Sequence, residues 1–198
     1  ENNPDHKVFV DYVQSRGISI SDYPFLITPD LPGRMGNRLI IPYTYKGKIV
    51  GHTSRFLDNK IPKYINEQQP GVVFGYDFQK PDASVCILVE GIFDALSLGA
   101  CALTHNTISD EQAELLAQLN RKIIFVPDHD KTGLATCDRA LELGYSVSIP
   151  NWDDDVKDVN DAIVKYGRLP TLLSILESAT MNKIKIEIQR NKIVRKLQ

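Results

Sequence analysis

The chain has 198 residues, 42% hydrophobic and 24% charged, with a formal net charge of −2. Those values describe ordinary globular material, long enough to bury one core or two small ones, and no apolar run is long enough to span a membrane. Cys86, Cys101 and Cys137 form no Cys-x-x-Cys pair, which argues against a zinc site and a disulfide framework and favours buried thiols in a cytoplasmic protein.

The near-neutral total hides an asymmetry. Between Arg34 and Lys63 stand seven basic residues (Arg34, Arg38, Lys46, Lys48, Arg55, Lys60, Lys63) against Asp58 alone. The last eighteen residues carry six against Glu187. Acid is concentrated between these blocks, a distribution suited to a polyanion held beside a cation site, although charge runs are more often solvated faces.

In chain order, a polar leader precedes His6–Arg16, where Val8, Phe9, Tyr12 and Val13 recur at helical spacing and Gly17 marks a stop. No secretory signal is read there, and a start at Glu1 in place of Met gives the expectation of a piece excised from a longer protein. Ile18–Gly36 holds Pro24, Pro29, Pro32 and Gly33 and reads as loop with room for one short strand. Arg38–Tyr45 and Lys48–Phe56 read as a hairpin turning at Lys46-Gly47. Gln69-Pro70-Gly71 is a turn, and an internal boundary is expected near Pro81.

Beyond it, strand and helix patterns alternate. Val85–Val89, Lys122–Pro127 and the run ending Ser146–Pro150 are short and β-branched, as buried parallel strands are. Each meets acid at its C-terminal end: Glu90, then Asp128 and Asp130, then Asp153–Asp155 and Asp158. Helices are expected at Ile92–Leu98, closed by Gly99; from Ser109, with Gln112 completing a capping box; and at Gly133–Leu143, closed by Gly144. Two more are expected at Asp158–Tyr166 and from Thr171 to Ser178. Lys183–Ile188 alternates like a strand, yet Ile184 with Ile188, and Ile193 with Leu197, also fit a helix.

Ligands of open α/β sheets sit at the C-terminal strand ends. Acids converging there repel one another unless a cation lies between them, and oxygen donors suit magnesium. Asp94 falls one helical turn beyond Glu90, and Asp128 and Asp130 share a side if the chain is extended. His129 should then point away and reads as a packing or surface residue, as does His52; Trp152 is assigned to packing, and His105, near the ligand edge, is a weak candidate for nucleotide contact.

Glu90-Gly91-x-x-Asp94 and Asp128-x-Asp130 are each weak signals alone. Together on alternating strands they resemble the toprim family, through Val89–Leu98 (Val-Glu-Gly-Ile-Phe-Asp-Ala-Leu-Ser-Leu) and Val126–Gly133 (Val-Pro-Asp-His-Asp-Lys-Thr-Gly). Arg38–Pro42, Gly51–Arg55, Pro62–Asn66 and Lys157–Asp161 further resemble the polymerase core of bacterial-type primases, above all the stand-alone primases of large tailed phages.

The resemblance implies an α/β toprim domain with a mainly parallel sheet flanked by helices (83–170). A smaller basic α+β subdomain would precede it (1–82), and a basic, helical tail would follow (171–198). It implies Glu90, Asp128 and Asp130 as principal ligands of Mg²⁺ or Mn²⁺, with Asp94, Asp158 and Asn160 in support. Arg38, Arg55, Lys63, Tyr64 and Asn66 would contact nucleotide or template, and Tyr43, Tyr45 or Tyr64 would be available for base stacking. The implied activity is RNA primer synthesis from nucleoside triphosphates on single-stranded DNA beside a replicative hexameric helicase, in the cytoplasm. The zinc module that family primases carry ahead of this core is not among these residues. A metal-dependent toprim nuclease is the main alternative. A haloacid-dehalogenase phosphatase leaves Glu90 and the basic hairpin unused, and a non-catalytic nucleic-acid module leaves the carboxylates unused.

Overall fold

The computed structural model describes residues 4–58 and 61–196, so Lys60 of the basic stretch and Leu197 of the tail lie outside the described residues. The chain divides into two compact units, Glu1–Pro70 and Gly71–Gln198.

The first unit carries helix α1 (Pro4–Ser15) and strands β1 (Leu26–Ile27), β2 (Leu39–Tyr45), β3 (Lys48–Arg55) and β4 (Tyr64–Gln68). Its sheet is an antiparallel meander in chain order. Leu39, Ile41 and Tyr43 of β2 and Phe9 and Val13 of α1 are all buried, at period-two and helical spacing respectively. Lys46 and Gly47 both take positive φ, 51° and 72°. That is the geometry a two-residue hairpin turn needs to match strand twist.

The second unit contains β5 (Val85–Val89), α2 (Ile92–Leu98), β6 (Cys101–Ala102), α3 (Asp110–Ala117), β7 (Lys122–Phe125), α4 (Lys131–Glu142) and β8 (Ser146–Val147). Three helices follow: α5 (Val159–Tyr166), α6 (Arg168–Ser178) and α7 (Lys183–Lys196). All sheet pairings are parallel, in the order β6-β5-β7-β8. Leu116 of α3, Leu134 and Cys137 of α4, and Ile186 and Ile193 of α7 join one core with the strands. Helices α2, α5 and α6 pack on one another, and α2 also packs on β5 and β6. The Ser109–Gln112 capping box forms as expected, and Gly99 and Gly144 end their helices with positive φ.

One boundary differs from the sequence expectation. The units divide after Pro70 instead of near Pro81, because Val72–Phe74 belong to the second core. Phe74 bridges Ala102, and the Gln112 amide donates to the Val72 carbonyl. The tail is helical in spite of its alternation. Ile186 and Ile193, two turns apart, are the positions it buries, each worth about 2 kcal/mol, while Ile184 and Ile188 are exposed. Asn182 accepts from the amides of Ile184 and Lys185 and so starts the helix.

Candidate metal centre

The strand order creates the site. The β5–β6 connection leaves to one side of β5 and the β6–β7 connection returns to the other, so a crevice opens where β5 and β7 end. Glu90 follows β5 directly, and Asp128 stands three residues beyond β7. The Asp128 amide donates to Glu90 Oε1 at 3.1 Å, so residues 38 apart in the chain are clasped at this point.

Burial raises the Glu90 carboxyl to about 7, with Asp130 adding repulsion against the partial relief of that amide. Burial raises Asp128 to about 8, and the charges of Glu90, Asp158, Asp130 and Asp161 push the same way. The third acidic segment is brought in by the His129 amide, which donates to the Lys157 carbonyl at 2.7 Å. Asp158 then caps α5 by accepting from the Asp161 amide, and Asp161 accepts from the Lys157 amide.

The supporting residues are placed differently from one another. Asp94 is buried, and its Oδ1 accepts from the Asn160 amide at 2.7 Å, tying α2 to α5. Asp94 and Asn160 are therefore together, in a contact that fixes helices. Asp130 is not in an extended run with Asp128: the chain bends at His129, and the Asp130 carboxylate caps α4 through the Gly133 amide at 2.8 Å. It nonetheless stays close enough to act on both Glu90 and Asp128.

These residues suit a hard divalent cation. The donors are all oxygen, and two of them resist ionisation, first because burial takes them out of water and then because neighbouring acids repel a further negative charge. Among the described residues no three His, Cys, Asp or Glu side chains form a ready-made cage. Magnesium needs only one or two carboxylates, the rest of its shell being water and substrate phosphate.

In the first unit the basic candidates part company. Arg38 is fully buried, and its guanidinium donates to the carbonyls of Arg34 (2.7 Å), Pro62 (2.8 Å), Ser54 (3.3 Å) and Lys63 (3.4 Å) while lying over the Phe56 ring. Those bonds leave it no reach for a phosphate, so its place is in the scaffold and not at the nucleotide position expected from sequence. Arg55 lies 4.6 Å from both the Tyr12 and Tyr64 ring centres, and burial lowers its pKa. Lys63, Tyr64 and Asn66 are exposed on or beside β4, with Asn66 Oδ1 accepting from the Thr53 hydroxyl. Tyr43 is wholly buried, hydrogen-bonded to Thr53, and unavailable for stacking.

Sequence reasoning missed Gly133 and Asp161 as parts of the site. A Cβ on Gly133 would meet Glu90 Oε1 at 2.4 Å and the Asp128 backbone at 2.6 and 2.8 Å. The glycine three residues after Asp130 was the available signal. His129 and Trp152 do pack, as expected, but on each other: their rings stack at 5.2 Å and 27°.

The second unit has the toprim fold, a parallel sheet flanked by helices, and residues 87–163 match the family described as Toprim-like. The chain is 27% identical over 165 residues to a DNA primase of Clostridium acetobutylicum, covering 74% of this chain and 27% of that protein. It is 33% identical over 129 residues to a DNA primase of Buchnera aphidicola subspecies Baizongia pistaciae, covering 57% of this chain and 22% of that one. It thus spans about a quarter of the length of these curated relatives. Among solved structures, a DnaG primase catalytic domain bound to single-stranded DNA shares the fold with TM-score 0.73 and 19% identity, over 91% of this chain and 74% of that one.

Proposed function

We propose that this chain is the polymerase core of a DNA primase, joining ribonucleotides into short RNA primers on a single-stranded DNA template. The observation that carries the reading is the Glu90–Asp128 clasp, with both carboxyls held at raised pKa in the crevice of a parallel sheet. Relatives named DNA primase support it, as does the shared fold of a primase domain bound to single-stranded DNA.

In this reading Glu90, Asp128 and Asp130 hold Mg²⁺ or Mn²⁺, and Asp158 adds negative charge from the α5 cap. The ions would lower the pKa of the primer's 3′-hydroxyl and offset charge on the attacking and leaving oxygens. Asp94 and Asn160 serve the site by fixing α2 against α5. Lys63 and Arg55 contribute positive charge toward nucleotide phosphates or template, and exposed Tyr64 offers a ring for a base. Partners are nucleoside triphosphates, the template and a replicative hexameric helicase, since primers are laid where duplex is opened. The phage-type, cytoplasmic assignment rests on the order and spacing of the motifs and on the basic tail.

The test supplies labelled ribonucleoside triphosphates, Mg²⁺ and single-stranded DNA to wild type and to Asp128→Asn. Template-dependent oligoribonucleotides from wild type, reduced about a hundredfold or more in the variant, are expected. Cleavage of the DNA without synthesis would replace the primase reading with that of a toprim nuclease.

A further inference from the structure

The centre is assembled from three loops, and they are not joined alike. The loops after β5 and β7 are clasped by the Asp128 amide on Glu90. The third runs from Asn151 to Asp158 with no regular structure, and its Asp153, Asp154 and Asp155 are exposed. Asp158 and Asp161, at its far end, repel Asp128. The loop is tied to α5 by the ion pairs of Lys165 with Asp153 and Asp155 and by the Asp153 amide, which donates to the Tyr166 hydroxyl. What ties it to the Asp128 loop against that repulsion is a separate set of contacts.

His129 supplies two contacts. Its amide donates to the Lys157 carbonyl at 2.7 Å, a bond that any residue other than proline can make. Its imidazole stacks on Trp152, 5.2 Å between centres and 27° between planes, and only a flat ring can do that. Trp152 is anchored in turn: its indole N–H donates to Ser174 Oγ at 3.1 Å, and the Ser174 hydroxyl donates to the Thr171 carbonyl within α6 at 2.8 Å. Both rings are buried, His129 to 9% exposure and Trp152 to 6%. A continuous line of contacts therefore runs from α6 through Trp152 to the residue flanked by Asp128 and Asp130.

We propose that His129 is a positioning residue whose stack on Trp152 fixes the α5-capping acids relative to Asp128 and thereby sets the divalent-cation affinity of the centre. The inference rests on the metal reading given above. It assigns no ligand role to His129: the ring faces Trp152, and the effect passes through the loop that both side chains hold.

Trp152 is the single tryptophan of the chain, so its emission reports the stack directly. Wild type, His129→Ala and His129→Phe are titrated with Mn²⁺, following tryptophan emission and, independently, free Mn²⁺ by electron paramagnetic resonance. Wild type should bind Mn²⁺ with a change in emission. His129→Ala should lose about tenfold in Mn²⁺ affinity, as residues orienting metal ligands typically do. His129→Phe, which restores a flat ring, should return to within about twofold of wild type. Should His129→Ala fail to fold, His129→Asn removes the ring in the same test. Unchanged affinity on losing the ring, or failure of His129→Phe to restore it, would overturn the proposal. No Mn²⁺ binding by wild type would overturn the metal reading itself, and the inference with it, which separates the two failures.

Discussion

Arg38 and Asp128 are both ionisable groups drawn away from water, and the two units treat them in opposite ways. Around Arg38 the first unit folds four carbonyl oxygens and the face of Phe56, so the cation is compensated by its own scaffold. Around Asp128 the second unit gathers the charges of Glu90, Asp130, Asp158 and Asp161, each of which makes ionisation harder. A buried charge whose needs are met internally belongs to the fold. One surrounded by its own sign invites compensation from outside, and that contrast is what supports the cation site proposed above.

The sharpest way to break the contrast is to delete each charge. Arg38→Ala leaves several carbonyls without a donor and opens a void beside Phe56, costing about 3 kcal/mol or more. Thermal unfolding should shift down by about 10 °C, while Mn²⁺ affinity of the folded protein stays within about twofold. Asp128→Asn should have the opposite signature: unchanged or raised stability without metal, and loss of Mn²⁺ binding. Were Arg38→Ala to retain wild-type stability, its bonds to carbonyls would not be structural, and a role toward phosphate would reopen.

Proton linkage extends the comparison across pH. Free carboxyls titrate near 4, but in the folded, metal-free protein Glu90 keeps its proton up to about 7 and Asp128 up to about 8. Between these values the folded state binds more protons than the unfolded state. The stability these groups contribute is therefore complete below about pH 4 and is lost as pH rises through 7 and 8. The stability advantage of Asp128→Asn over wild type should grow from about pH 5 to about pH 8, at no more than about 1.4 kcal/mol per pH unit. Mg²⁺ takes the place of those protons, so its stabilisation of wild type should be greatest at the upper end. Calorimetric melts at several pH values, with and without Mg²⁺, check both directions.

How much of this was readable beforehand depends on the range of the cause. Local causes were legible. Ser109 and Gln112 close a capping box within four residues, Lys46-Gly47 turns a hairpin, and Gly99 and Gly144 end helices by conformational freedom alone. The placement of Glu90 and Asp128 was legible too, because both follow a strand and strand ends are visible as pattern, whereas Asp161, inside α5, was missed. Roles set by surroundings were not legible. Nothing in Arg38-Leu-Ile-Ile announces that the guanidinium turns inward to carbonyls brought from Arg34, Ser54, Pro62 and Lys63. The extended geometry that would align Asp128 with Asp130 gives way to a bend, because Asp130 is also needed to cap α4. The isoleucines of the tail alternate over a short stretch, and only the seven-residue interval from Ile186 to Ile193 records which face the core selects.

Gly133 offers the finest probe of the contrast, because a single methyl is the whole perturbation. In most helices Gly→Ala is stabilising by about 1 kcal/mol, through reduced freedom of the unfolded chain. Gly133 is the third residue of α4 and should gain the same way. Its missing Cβ, however, would lie 2.4 Å from Glu90 Oε1, which can swing away, and 2.6 and 2.8 Å from the Asp128 backbone, which cannot move without dragging β7's end. The first clash displaces a carboxylate of the centre; the second pushes α4 away from the loop that carries Asp128. Overpacking of this size costs about 1–3 kcal/mol, so Gly133→Ala should be destabilising in spite of its helix propensity. With Glu90 displaced, Mn²⁺ affinity should fall about tenfold. A Gly133→Ala protein that melts higher than wild type and binds Mn²⁺ equally well would show that helix and acid loop have room to part, and that the clasp between Glu90 and Asp128 is looser than its geometry implies.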